Sequence, residues 1–151
     1  MVDGHPVMVD VSAKPSTVRT AVAEAVLELG AGPRQRLVQG TPKGDPLAVA
    51  ELAGIMAGKR TSELIPLCHP LPLTHLAVRG ELTAQGVRFE ATCSTNAPTG
   101  VEMEALVAAS TAALTLYDML KAAGHEMQVT SVRLLSKAGG RSGSWQRTPG
   151  R

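Results

Sequence analysis

An α+β fold, an antiparallel sheet with helices packed on one of its faces, is what this sequence predicts, on three observations. Residues 73–83 and 87–95 alternate apolar with polar positions and are joined by Ala84-Gln85-Gly86, which reads as a β-hairpin. A long, nearly uncharged stretch of helix-forming residues, GVEMEALVAASTAALTLYDMLK, fills residues 100–121. Earlier, Asp45 followed by Pro46 opens another helix, since a capping carboxylate precedes a proline in the first turn, where its missing N–H is harmless.

The remaining elements follow in order. Residues 1–15 read as a flexible leader with Pro6 and Pro15 as breakers. Residues 17–29 are ambiguous: Ala21, Ala23, Ala25, Leu27 and Leu29 lie at period two, yet an alanine-rich helix fits nearly as well by propensity. Gly30, Gly32 and Pro33 end that element. The Asp45 helix continues through LAVAELAGIMA and stops near Gly58. Residues 61–65 form one further turn ended by Pro66, and Pro70 and Pro72 hold a rigid loop. The long helix has Thr99 or Gly100 near its N-cap and Gly124 as its stop. Residues 127–136 are a last strand, and 138–151, AGGRSGSWQRTPGR, read as a flexible tail. Taking 17–29 as a strand gives β-α-β-β-α-β, the split βαβ of ferredoxin-like folds. Topology thus decides what propensity leaves open. Residues 1–151 read as a single domain without repeats.

Composition narrows the function classes. Aromatic residues make up 2% of the chain, so the core must be built from Ala, Val, Leu and Met, and association with other copies is expected to add stability. A net charge of +2 and so few aromatic faces argue against a nucleic-acid binder. Cys68 and Cys93, without a secretion signal, point to a reduced, cytoplasmic protein. No apolar run is expected to reach the roughly 20 residues that cross a bilayer.

The long helix is ionisable at both ends. Glu104 and Asp118 are 14 positions apart and share a face, separated by roughly 21 Å along the axis. Either they serve two sites, or a two-fold axis sets this helix antiparallel to its mate and the site is shared between copies. Against both stands a plainer reading, in which Glu102 and Glu104 complement the helix N-terminus and Lys121 its C-terminus. Asp118 and Lys121 are adjacent on the helix surface, a weak ion pair if exposed and an acid–base couple if enclosed. In Pro66-Leu67-Cys68-His69-Pro70 the prolines fix the backbone. Cys68 beside His69 lacks zinc spacing, so His69 is either a phosphate or base contact or a histidine without a role. Basic residues beside glycine or proline, namely Lys14, Arg19, Lys43 and the run from Lys137 to Arg141, could wrap an anion, though on this pattern alone a solvated tail is the better reading.

Together, MVDVSAK (8–14), KGDPLAVAELAGIMAGKRTSELIPLCHPL (43–71), TGVEMEALVAASTAALTLYDMLK (99–121) and VRLLSKAGGRSG (132–143) resemble the MoaC family of molybdenum-cofactor biosynthesis proteins, in the same order along nearly the whole chain. The resemblance implies a lyase that converts 3′,8-cyclo-7,8-dihydroguanosine 5′-triphosphate, made from GTP by a radical-SAM partner enzyme, to cyclic pyranopterin monophosphate and diphosphate. It implies a ferredoxin-like subunit in a hexamer built from dimers, with sites at subunit interfaces. It implies Asp118 as the catalytic acid–base residue and Lys43 and Lys121 as essential lysines. Leu67, Cys68, His69, Met103 and Glu104 become substrate contacts, with Arg19 and Lys137 on the phosphate side. No cofactor or metal is required, although a divalent cation accompanying the triphosphate is compatible. Neither nucleic acid nor membrane is an expected partner. Arg141 stands where lysine is usual, and SWQRTPGR has no obvious counterpart in the resemblance. The readings set against catalysis are a non-catalytic oligomeric module that holds a nucleotide, and a structural protein whose small-residue helix is a dimer seam.

Overall fold

The structure, a computed structural model, describes residues 4–148; the first three residues of the expected leader and the last three of the expected tail lie outside the described residues. The elements run β1 (Thr17–Glu28), α1 (Ala31–Gln39), α2 (Pro46–Gly58), α3 (Thr61–Leu64), β2 (Leu73–Leu82), β3 (Gly86–Ala97), α4 (Glu102–Leu120), β4 (Gln128–Ala138) and β5 (Trp145–Gln146), with a 3₁₀ turn at Lys121–Ala123. The sheet order is β2-β3-β1-β4-β5 with every neighbouring pair antiparallel. Its first four strands, α2 and α4 form the split β-α-β-β-α-β arrangement, an α+β fold.

The ambiguous segment is a strand because its period-two alanines have a helix to face. Ala21, Ala23, Ala25 and Leu27 are buried, the last two in one cluster with Phe89, Val87, Leu116 and the alanines of α4. The hairpin closes where Thr83 N–H donates to the Gly86 carbonyl at 2.7 Å, and a Cβ at Gly86 would collide with the Leu27 carbonyl. Asp45 caps α2 as its sequence predicts, its Oδ1 accepting from the N–H groups of Leu47 at 2.9 Å and Ala48 at 3.4 Å.

Four details depart from the sequence reading. Gly30-Ala31-Gly32-Pro33 ends β1 but also opens α1, with Gly30 as N-cap and Pro33 within the first turn. The N-cap of α4 is Val101 rather than Thr99 or Gly100. Gly100 is needed one step earlier, because the Glu102 carboxylate folds back into the space a Cβ there would take. The tail returns to add β5 at the sheet edge. By length and composition, Glu102–Ala123 could cross a bilayer, contrary to the expected absence of such a run; half of it is buried inside the protein, as in a core helix.

α2 lies antiparallel to α4 at close range. A Cβ at Gly54 would come within 2.7 Å of the Ala108 carbonyl, and one at Gly58 within 3.2 Å of the Glu104 carbonyl. Glycine on one helix and alanine on the other therefore set the separation.

On the sheet face away from the helices, Glu24 is buried, with its side chain 4% exposed, and holds Arg88 at 2.5 Å and Arg133 at 2.6 Å. Burial raises its pKa, but hydrogen bonds from both guanidinium groups, aided by their charge, outweigh burial and hold it below 4.5. Folding therefore favours the ionised form. The stabilisation is present above pH 4.5 and lost as pH falls through the depressed folded value. Glu24→Gln is expected to cost roughly 2 kcal/mol at pH 7, because it takes the carboxylate from Arg133 and leaves Arg88 with Glu90 alone. Urea unfolding at several pH values checks this, and the variant should show a smaller acid-induced loss than the wild type.

Candidate active site

The antiparallel packing of α2 on α4 distributes the candidate residues. The chain enters α2 through Lys43 and Asp45, beside the C-terminal end of α4. It leaves α2 through α3 and the Pro66–Pro72 loop, beside the N-terminal end. Two groups result.

At the C-terminal end, Lys121 Nζ lies 2.7 Å from Asp118 Oδ1 and Lys43 Nζ lies 3.8 Å from Asp118 Oδ2. All three come from one chain and are open to solvent, their side chains 70% (Lys43), 54% (Asp118) and 54% (Lys121) exposed. The Lys121 hydrogen bond, then the charges of Lys121 and Lys43, hold the Asp118 carboxyl below its ordinary 3.8. The same bond pushes the Lys121 ammonium above 10.5. In the isolated chain this is a closed ion pair, with the carboxylate ionised and the ammonium protonated.

At the N-terminal end, a cavity of about 430 Å³ is lined by Leu67, Cys68, His69, Met103 and Glu104, with Glu102 and Lys14 at its side. Lys14 and Thr99 also line an adjoining cavity of about 570 Å³ that carries Arg19, Gly140 and Arg141. Arg19 and Lys137 reach this end from β1 and β4. Arg19 Nη2 donates to the Pro98 carbonyl at 3.1 Å, while its Nε is buried without a hydrogen-bond partner. Lys137 Nζ is held 2.9 Å from Glu102 Oε1. Among the described residues no three His, Cys, Asp or Glu side chains gather in a metal-binding cluster.

Glu104 is 4% exposed. Burial raises its pKa; a backbone hydrogen bond offsets this in part, and the Glu102 charge raises it further. Burial and then the Glu104 charge also raise both thiols, Cys93 to about 12. Cys68 is therefore a neutral surface of the cavity rather than a thiolate nucleophile.

The structure thus joins Lys43 to Asp118 and Lys121, and joins the Leu67–His69 loop to Met103 and Glu104. Within one chain it does not bring the two groups together. Glu104 and Asp118 remain 14 residues apart on a continuous helix, roughly 21 Å by the helical rise. Sequence reasoning took Glu102 as a helix-end charge and missed that it anchors Lys137; residues 102 and 137 belong to separate elements, and no local pattern links them.

Since Glu104 holds its proton more tightly folded than unfolded, folding takes up a proton at this position. Stability should fall as pH rises from 4.5 through the elevated folded value. Glu104→Gln is expected to remove that slope, as measured by chemical denaturation of both proteins between pH 4 and about 8.

Residues 8–140 match the family model described as the MoaC family. A relative from Deinococcus radiodurans, named cyclic pyranopterin monophosphate synthase, is 56% identical over 146 residues, covering 96% of this chain and 87% of its own. Relatives of the same name from Corynebacterium glutamicum strain R and Roseiflexus sp. strain RS-1 are 53% and 54% identical, covering 95% and 94% of this chain and 92% of their own lengths. Identity above one half over nearly the whole chain, with the family model matching residues 8–140, goes well beyond a shared fold: this chain belongs to the MoaC family.

Proposed function

We propose that the chain is a cyclic pyranopterin monophosphate synthase of molybdenum-cofactor biosynthesis. It converts 3′,8-cyclo-7,8-dihydroguanosine 5′-triphosphate to cyclic pyranopterin monophosphate and diphosphate. The observation that carries this reading is the meeting of Lys43 and Lys121 on Asp118, which couples one carboxylate to two ammonium groups. Opening and re-closing the purine-derived rings needs several proton transfers, and such a cluster can give and take protons once substrate separates its members. The cyclic phosphate forms when a substrate hydroxyl attacks the α-phosphorus and the bond to the departing diphosphate breaks. Charge building on that leaving group calls for cations, and Arg19 and Lys137 are the phosphate-side candidates, with Lys14 and Arg141 beside them. Leu67, Cys68, His69, Met103 and Glu104 are proposed to hold the ring system.

The two groups complete one site only across copies. A neighbour whose α4 runs antiparallel to this one would bring its Asp118 cluster to the cavity beside Glu104. The outer face of the helical layer supports such contact, with Leu52 58%, Met56 51% and Leu114 60% exposed. Covering by a second copy would also strip water from Lys121, moving a raised pKa back toward the range where proton transfer is efficient. The assembly is read as a hexamer, a trimer of such dimers, in the cytoplasm. A radical-SAM cyclase would supply the substrate; no cofactor is assigned, and a divalent cation could accompany the triphosphate.

Lys43→Ala is expected to slow turnover of the cyclised nucleotide by about 10²–10⁴-fold, the usual size of a lost proton-transfer group. Rates equal to the wild type would remove Lys43 from the mechanism. Sharing between copies has its own test, in which inactive Asp118→Asn protein is mixed with inactive Lys137→Ala protein under subunit exchange. A shared site restores roughly a quarter of full activity, since half the dimers are mixed and each holds one intact site of two. Sites contained within single chains restore none.

A further inference from the structure

Residues 141–148 lie beyond the stretch matched by the family model, yet Trp145–Gln146 among them adds a strand to the sheet. β5 pairs antiparallel with the end of β4, with Trp145 opposite Lys137 and Gln146 opposite Ser136. The next residue extends the hold. Arg147 N–H donates to the Leu135 carbonyl and Arg147 Nε to the Leu134 carbonyl, each at 2.8 Å. Its guanidinium lies 5.8 Å from the centre of the Trp145 ring.

Between the two strands the chain reverses through Gly139, Gly140 and Gly143, whose φ values are 97°, 73° and 66°. These lie in the left-handed region that glycine alone enters without steric cost. The Gly143 N–H donates to the Gly140 carbonyl at 3.2 Å and closes the turn. Two of these glycines are also seats. A Cβ at 139 would collide with the Val18 carbonyl, and one at 140 with the Arg19 guanidinium. The turn therefore rests on the start of β1 and presents Arg141 and Ser142 to the cavity that holds Lys14 and Arg19.

We infer that the β4–β5 hairpin is a positioning device for the anion cavity: by closing the glycine turn at both ends, β5 keeps Arg141 where it completes a set of three cations with Lys14 and Arg19 around a phosphate chain. The assignment of phosphate as the anion rests on the proposed function. Without β5, Arg141 would be carried on a glycine-rich terminus anchored at one end only. Each binding event would then have to order that segment and the long arginine side chain. Pinned at both ends, the guanidinium is pre-arranged for the planar, two-pronged contact arginine makes with phosphate oxygens.

The test is calorimetric titration of the full-length protein with inorganic diphosphate. Replacing both strand residues, Trp145→Pro with Gln146→Pro, removes whichever N–H faces β4. This pair of changes and Arg141→Ala are each expected to weaken diphosphate binding about tenfold, the scale of ordering one long side chain. If β5 acts through Arg141, adding the proline pair to Arg141→Ala weakens binding no further. Should the proline pair unfold the protein, Arg147→Ala, which releases the Leu134 carbonyl, carries the same comparison. Unchanged affinity in the strand variants, or losses that simply add to that of Arg141→Ala, would overturn the inference. A wild type that binds no diphosphate would instead bring down the anion reading of the cavity, a distinguishable outcome.

Discussion

The close approach of α2 to α4 is the constraint from which the rest of the arrangement follows. Gly54 and Gly58 present no side chain to Ala108 and Ala112, so the two backbones meet with little between them. With the two helices antiparallel, the segments flanking α2 must emerge at opposite ends of α4. One carries Lys43 to Asp118; the other carries the proline-framed loop to Met103 and Glu104. A larger residue at either glycine would lift α2 and shift both flanking segments, although no charged group had been touched. The alanine-rich body of α4 thus acts as the gauge that spaces the candidate site.

The two ends of α4 place carboxyl groups in opposite surroundings. Asp118 stands in solvent with two ammonium neighbours, which favour its charge. Glu104 lies buried under the loop with a like charge nearby, and burial first, then that charge, favours its proton. Environments that push carboxyl pKa values apart are how one protein supplies both a ready acceptor and a ready donor near neutral pH. A single rigid helix keeps the two roughly 21 Å apart, so their cooperation on one substrate depends on the proposed neighbouring copy. The cations show a related division. Arg19 and Lys137 are held by a carbonyl and by Glu102, respectively, whereas the glycine turn after β4 brings Arg141 to the same region by backbone geometry.

Much of this is legible locally. Asp45-Pro46 caps α2, the hairpin breaks at Ala84-Gln85-Gly86, and the three-residue spacing of Asp118 and Lys121 already places them side by side. The strand at Thr17–Glu28 needed topology as well as pattern, because its alanines suit either period. α1 escaped because a glycine-proline cluster marks a chain reversal whether or not a helix begins inside it, and the helix buries only Pro33 and Leu37. Two-residue β5 escaped because nothing within Trp145-Gln146 distinguishes a strand from a tail until β4 lies beside it.

By itself, the sequence determined the order of the four main strands and of α2 and α4, the ends of α2, the hairpin and the family to which the chain belongs, since alternation, caps and motifs are relations among near neighbours. Only the tertiary structure decided that Lys43 reaches Asp118, that Glu102 holds Lys137, and that Glu104 is buried with the Glu102 charge nearby. Those outcomes depend on which distant segments pack together. Charge, protonation and reach are set by what lies within a few ångströms in space, however far apart the residues stand along the chain.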